Sequence, residues 1–217
     1  GGTSSAMEVD QQGIERLKAC LEGAKFDGYE GKITDLKLTK FNHGQSNPTF
    51  LMEISTLGKA ETSKYVLRAK PANVKIKSAH AVEREFRVLR ALHRSSGARV
   101  PVPEPLLLCE DESVLGAAWY AMRFVAGRLL PDPAFPELRD PGERRAAWRS
   151  VLQTLAAIHS VDLRAVGLED YSRAGAQGGY FARTIRTMEM VMEKQARAAP
   201  APEGLARLAQ ALKARLA

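Results

Sequence analysis

Val82-Glu83-Arg84-Glu85-Phe86-Arg87-Val88-Leu89-Arg90-Ala91-Leu92 holds the most informative residue of the chain, Glu85. On a helix that advances about 100° per residue, Val82, Glu85, Phe86, Val88, Leu89 and Leu92 fall on one face. Glu85 therefore stands in the middle of an apolar stripe, while Glu83, Arg84, Arg87 and Arg90 lie outside it. A carboxylate on a buried face needs a cationic or strongly hydrogen-bonding partner, because desolvating an unpaired charge costs on the order of several kcal/mol. The helix is expected to start near Ser78, a candidate cap, and to run to about His93.

The segment before it offers the partner. Tyr65-Val66-Leu67-Arg68-Ala69-Lys70 has strand character and ends at Pro71, and Arg68 and Lys70 point to the same side, two residues apart. Further upstream, Ile33 to Phe41 and Phe50 to Ile54 partly alternate apolar with polar residues. They flank the polar break Asn42-His43-Gly44-Gln45-Ser46-Asn47-Pro48, a pattern that predicts a β-hairpin with a long tip. Backbone N–H groups of a glycine-containing tip, with the Ser46 hydroxyl, are suitable phosphate donors. Strand cation, helix carboxylate and hairpin tip together form the arrangement kinases use to hold triphosphate oxygens, with Lys70 as the reserve ligand.

Downstream, Val100-Pro101-Val102-Pro103-Glu104-Pro105 excludes a helix and returns the chain to the sheet. Leu106 to Glu110 and Ala118 to Val125 read as two more strands, joined by a turn ending at Gly116. Beyond Gly127 the character changes: a proline-rich connector leads to a helix from about Gly142 to His159, with Trp148, Val151, Leu152, Leu155 and Ile158 on one stripe. His159 shares that face and is expected to be a packed, hydrogen-bonded core histidine. A helix at about 180–198 and a helical pattern through Leu205, Leu208, Leu212 and Leu216 follow. Residues 14–22 form a short amphipathic helix before the first strand.

The bulk numbers set the class. With 217 residues, 45% hydrophobic and 26% charged, the chain has an ordinary globular balance, and it contains no apolar run near the ~18 residues of a membrane span. Cys20 and Cys109 are too few and too isolated for a disulfide framework or zinc site, which makes a reducing, intracellular setting the expectation. The net charge of +7 favours anionic partners, yet the arginines are dispersed and no nucleic-acid module is present. Neither a nucleic-acid nor a membrane partner is expected.

The run Asn42 to Phe50, then Tyr65-Val66-Leu67-Arg68, Glu83-Arg84-Glu85-Phe86-Arg87-Val88-Leu89, Val100-Pro101-Val102-Pro103, Tyr120 to Gly127 and Leu155-Ala156-Ala157-Ile158-His159-Ser160 resembles the aminoglycoside phosphotransferase / choline kinase-like family. Cys109 to Gly116 and Gly167-Leu168-Glu169-Asp170-Tyr171 point to the branch found at the N-terminus of acyl-CoA dehydrogenase fusion proteins. The resemblance covers the chain from about residue 33 onward. It implies an α+β, protein-kinase-like fold: a small antiparallel-sheet N-lobe with one key helix, plus an incomplete helical C-lobe. The expected organisation is a flexible tail at 1–13, a nucleotide-binding N-lobe at 14–127 and a partial C-lobe at 128–217.

The resemblance also implies roles. Arg68 takes the place of the cation on the nucleotide phosphates, and Glu85 that of the carboxylate orienting it. Gly44, Gln45, Ser46 and Asn47 fall in the loop over the phosphates, Met122 at the gatekeeper position, and Phe124 and Val125 at the hinge that bonds the adenine edge. ATP and Mg2+ are the expected cofactors, a small-molecule hydroxyl (in this branch a hydroxyacyl thioester) the acceptor, and a fused acyl-CoA dehydrogenase domain the expected neighbour. The family's His-Gly-Asp catalytic loop, with its following Asn and metal-binding Asp, does not occur around His43, His80, His93 or His159. No catalytic or metal residue is therefore assigned in this chain, which alone is expected to be inactive. The rival readings are a pseudokinase-like binding module and a domain that binds polyanions through its charge.

Overall fold

In β1 (Ile33–Lys40) the apolar residues Ile33 and Leu36 are three apart, yet both are buried on the same side. A register shift between Ile33 and Asp35 in the pairing with β2 (Thr49–Thr56) absorbs the extra residue and restores the alternation. Leu36 then lies opposite Ile54, Leu38 opposite Met52, and Lys40 opposite Phe50. The computed structural model describes residues 9–28, 32–41, 47–71, 81–95, 100–171, 180–196 and 204–215. Gly44, Gln45 and Ser46 of the expected phosphate loop, and the candidate cap Ser78, lie outside the described residues.

β3 (Ser63–Ala69), β4 (Pro105–Cys109) and β5 (Trp119–Arg123) complete a five-stranded antiparallel sheet in the order β1-β2-β3-β5-β4. A short helix, α3 (Glu112–Leu115), joins β4 to β5 where the sequence suggested only a turn. Asp111 caps it by accepting from the Ser113 N–H, and Gly116 ends it at φ 79, a left-handed value that favours glycine. Those Ser113 hydrogen bonds hold the exposed Asp111 carboxyl below its ordinary range.

Strand alternation divides the sheet into two unlike faces. One carries Phe50, Met52, Ile54, Tyr65, Leu67, Ala69, Trp119 and Ala121, and is covered by α1 (Gln11–Gly23) through Leu17 and Leu21. Both leucines are fully buried, which stabilises the packing by about 2 kcal/mol each. The helix begins three residues earlier than the apolar pattern shows, because Asp10 caps it through the Gly13 N–H at 2.7 Å. The other face carries Arg68, Tyr120 and Met122 and receives α2 (Val82–Arg94), whose Val82 and Phe86 pack with Ala118 and Tyr120. Phe86 and Tyr120 have ring centroids 5.8 Å apart.

One compact unit comprises residues 1–169, a second residues 170–217. In the first, α4 (Pro141–His159) starts with Pro141 at its first turn, and Asp140 accepts from the Gly142 and Glu143 N–H groups. Its apolar stripe is not a core face here: Trp148, Val151, Leu152, Leu155 and Ile158 are 45–60% exposed, and His159 is exposed as well. The expectation of a packed core histidine is thereby corrected: Trp148 meets the Phe135 ring at 5.5 Å, but His159, at the other end of the helix, stays exposed. In the second unit, α5 (Tyr180–Ala196) and α6 (Leu205–Ala214) pack on each other with a Lys213–Glu189 ion pair at 2.6 Å.

Candidate nucleotide site

Strand register builds the site. Arg68 of β3 lies opposite Thr49 of β2 on one side and Tyr120 of β5 on the other, so three polar side chains form one row across the α2 face. Glu85, on the first turn of α2, projects onto that row. Its Oε2 accepts from Arg68 Nε at 2.7 Å and from the Tyr120 hydroxyl at 3.2 Å, while its Oε1 accepts from Asn47 Nδ2 at 2.9 Å. Arg68 Nη1 donates to Thr49 Oγ1 at 3.1 Å.

The carboxylate thus has the cationic mate its position demanded, from the strand expected to supply it. It is not deeply buried: the Glu85 side chain keeps 36% of its surface and that of Arg68 keeps 28%. Apolar neighbours flank the pair, and one side stays open. The Arg68 Nη2 group has no partner among the described residues, so N–H donors remain for a ligand on that side.

Tyr120 is almost fully enclosed. Burial, followed by the charge of Glu85, pushes its phenol well above the ordinary tyrosine range, against a smaller opposite pull from Arg68. The phenol therefore remains a proton donor to Glu85 at all ordinary pH values. Tyr120 and Thr49 were not among the residues singled out from sequence. The signal for them was the strand register, since only pairing shows that both flank Arg68.

Asn47 is 4% exposed and directs its amide to Glu85, which makes it a support of the carboxylate. Lys70 does not join the row: its Nζ lies 3.4 Å from Glu83 Oε1, two residues before Glu85 on α2. Met122 lies opposite Val66, two residues beyond Tyr120 on the same face, and packs against the Phe86 and Tyr120 cluster. Phe124 and Val125 follow β5 directly. Their backbone N–H and C=O groups have no hydrogen-bond partner among the described residues, and the Val125 side chain is 67% exposed.

The end of β5 is fixed by Arg123. Its guanidinium reaches Glu104 Oε2 and Asp27 Oδ1, each at 2.8 Å, and these contacts raise its affinity for the proton further. Asp27 also accepts from the buried Tyr65 hydroxyl at 2.7 Å. The strand that carries Tyr120 and Met122 into the site is thereby tied to the 3₁₀ turn Phe26–Gly28 after α1.

Comparison with known proteins gives the family. The sequence profile of the Phosphotransferase enzyme family matches residues 37–217. The chain is 45% identical over 171 residues to "Probable acyl-CoA dehydrogenase IBR3" of Arabidopsis thaliana, an alignment of 79% of this chain and 20% of that protein. It is 38% identical over 181 residues to "Acyl-CoA dehydrogenase family member 10" of Mus musculus, covering 83% of this chain and 15% of the relative. The chain thus spans about a fifth or less of the length of these relatives. A crystal structure of a "putative aminoglycoside phosphotransferase" from Ralstonia eutropha superposes with a TM-score of 0.61 at 39% identity, over 87% of this chain and 48% of that one. A five-stranded antiparallel sheet, a carboxylate-bearing helix on its polar face and a matching profile over most of the sequence have one reading: the chain belongs to the phosphotransferase enzyme family, with a kinase-like fold.

Proposed function

We propose that this chain supplies the nucleotide-holding part of an ATP-dependent kinase that moves the γ-phosphoryl group of Mg·ATP to a hydroxyl of a small molecule. The observation that carries this reading is the 2.7 Å contact between Arg68 Nε and Glu85 Oε2. A guanidinium gripped at Nε by a helix carboxylate and at Nη1 by Thr49 is held in one orientation, with the Nη2 N–H groups engaged by neither. Such a pre-set cation suits phosphoryl transfer, in which the protein acts mainly by positioning and by stabilising spread-out negative charge.

Met122 behind the adenine, and the backbone of Phe124 and Val125 against its edge, complete the nucleotide contacts in this proposal, with the tip Gly44 to Ser46 over the phosphates. Among the described residues no cluster of three His, Cys, Asp or Glu side chains is placed to hold a cation. The acceptor we propose is a hydroxylated acyl thioester, and the neighbour a fused acyl-CoA dehydrogenase domain. The names of the relatives, and the small share of each that this chain covers, support that choice.

The test is calorimetric titration of ATP and of adenosine into the protein and its Arg68→Ala variant. ATP affinity is expected to fall at least about tenfold, the scale of a lost charge-assisted contact, while adenosine affinity stays level. Equal losses for the two ligands would remove Arg68 from the phosphates.

A further inference from the structure

Arg123, the last residue of β5, stands on the face of the sheet opposite the nucleotide row. It lies across from Tyr65 of β3, so strand alternation places its side chain on the α1 side, away from Met122. Its guanidinium is held there from two directions. Nη2 and Nη1 donate to the two Asp27 carboxylate oxygens at 2.8 and 3.4 Å, a fork on one acid, and Nε donates to Glu104 Oε2 at 2.8 Å. The Arg123 backbone N–H donates to the Glu104 carbonyl at 2.9 Å. Phe124 and Val125 come next in the chain.

We infer that Asp27 and Glu104, acting through Arg123, are positioning residues that set where β5 releases the backbone of Phe124 and Val125 to the nucleotide base, a role that rests on the nucleotide reading proposed above. Asp27 sits at φ 53, ψ 31, a left-handed conformation that is costly for a residue other than glycine, and Lys25, two residues earlier, is at φ 48. Such a conformation persists only where several contacts over-determine it. Here Phe26 meets the Tyr65 ring edge-to-face, with centroids 4.9 Å apart, and Asp27 Oδ2 accepts from the Tyr65 hydroxyl at 2.7 Å. The turn thereby presents its carboxylate at a fixed point beside the end of β5. Asp27 precedes residues 37–217, the stretch that the family profile matches.

A plainer account is that these contacts only fasten α1 to the sheet. That helix is already fastened: Leu17 and Leu21 are fully buried, Arg16 Nε donates to the Val114 carbonyl at 3.0 Å, and Glu22 Oε1 accepts from the Ile33 N–H at 2.7 Å. The Arg123 side chain is 45% exposed, and ion pairs screened by water add little to stability. What a fork on two oxygens contributes is direction, because both N–H groups must align at once. With Glu104 on a third N–H, the plane of the guanidinium is fixed, and with it the residue just before the base-facing backbone.

Calorimetric titration of adenosine and of ATP into the full 217-residue chain tests this. Arg123→Ala should weaken both by the same factor, at least about fivefold, the low end of usual coupling between sites. Asp27→Asn keeps an acceptor for the Tyr65 hydroxyl but loses the charged fork, and it should shift both affinities in the same direction. The double variant should bind no more weakly than Arg123→Ala alone, since the two residues act through one contact. As a control, Arg16→Ala cuts a different tie of α1 and should change adenosine binding less than twofold. The urea midpoint of Arg123→Ala should stay within about 0.5 M of the wild type, which separates positioning from loss of fold. A smaller loss in Arg123→Ala, ATP weakened more than adenosine, or an equal loss in Arg16→Ala would overturn the inference and leave the nucleotide reading standing. A wild type that binds ATP but not adenosine would overturn it too. A wild type that binds neither would remove the nucleotide reading and this inference together.

Discussion

Removing the Glu85 carboxylate should destabilise the first unit far more than removing its charge. In Glu85→Ala the Tyr120 hydroxyl, on a residue only 2% exposed, loses the one acceptor it has among the described residues. A buried donor left without a partner costs about 1–3 kcal/mol. The Arg68–Glu85 attraction adds little, about 0–1 kcal/mol, because both side chains are roughly a third exposed and screened by water. The loss for Glu85→Ala is thus about 2–3 kcal/mol. In Glu85→Gln the side-chain oxygen still accepts from Arg68 and Tyr120, and an Asn47 amide turned by half a revolution accepts from the new amide nitrogen. That variant should lose less than about 1 kcal/mol. Urea unfolding followed by tryptophan fluorescence separates the cases: with a slope of ~2 kcal/mol per molar, the alanine midpoint should lie about 1 M below that of glutamine. Midpoints within about 0.3 M of each other would show that hydrogen bonding to Glu85 does not hold this face together, and the cost assigned to Tyr120 would be refuted.

Tyr120→Phe should remove part of the protein's sensitivity to alkali. A phenol whose proton is held more tightly in the folded state gives stability that is complete below the ordinary tyrosine value of 10.0 and is lost as pH rises above it. Stability measured from pH 9 to 11 should fall less steeply in the variant, and equal slopes would contradict the raised value. Burial, then the neighbouring Cys109, lifts the Cys20 thiol from 9.0 to about 11, so near pH 8 it should react with iodoacetamide about 100-fold more slowly than in the urea-unfolded chain. Comparable rates, read by peptide mass spectrometry, would place Cys20 outside the packed layer between α1 and β4. Asp27→Ala should cost about 2 kcal/mol and Arg123→Ala under about 1 kcal/mol by chemical unfolding, since Asp27 bonds the buried Tyr65 hydroxyl whereas the Arg123 pairs are surface contacts. The reverse order would shift the anchoring role from Asp27 to Arg123.

From the sequence of α2 alone a positive partner for Glu85 could be expected, because the acid stands among Val82, Phe86 and Leu89 on one helix face. The sequence also pointed to Arg68 as that partner's most direct source, since a strand ending at Pro71 precedes the helix. Periodicity is local, so it carried the strands, α2 and α4 to within a few residues. Which side chains stand beside that pair depends on the assembled sheet. Thr49 and Tyr120 are 19 and 52 positions from Arg68, and pairing register alone makes them its neighbours. The same limit accounts for the α4 stripe and His159: periodicity shows which residues share a face, but whether that face is covered depends on elements distant in the chain.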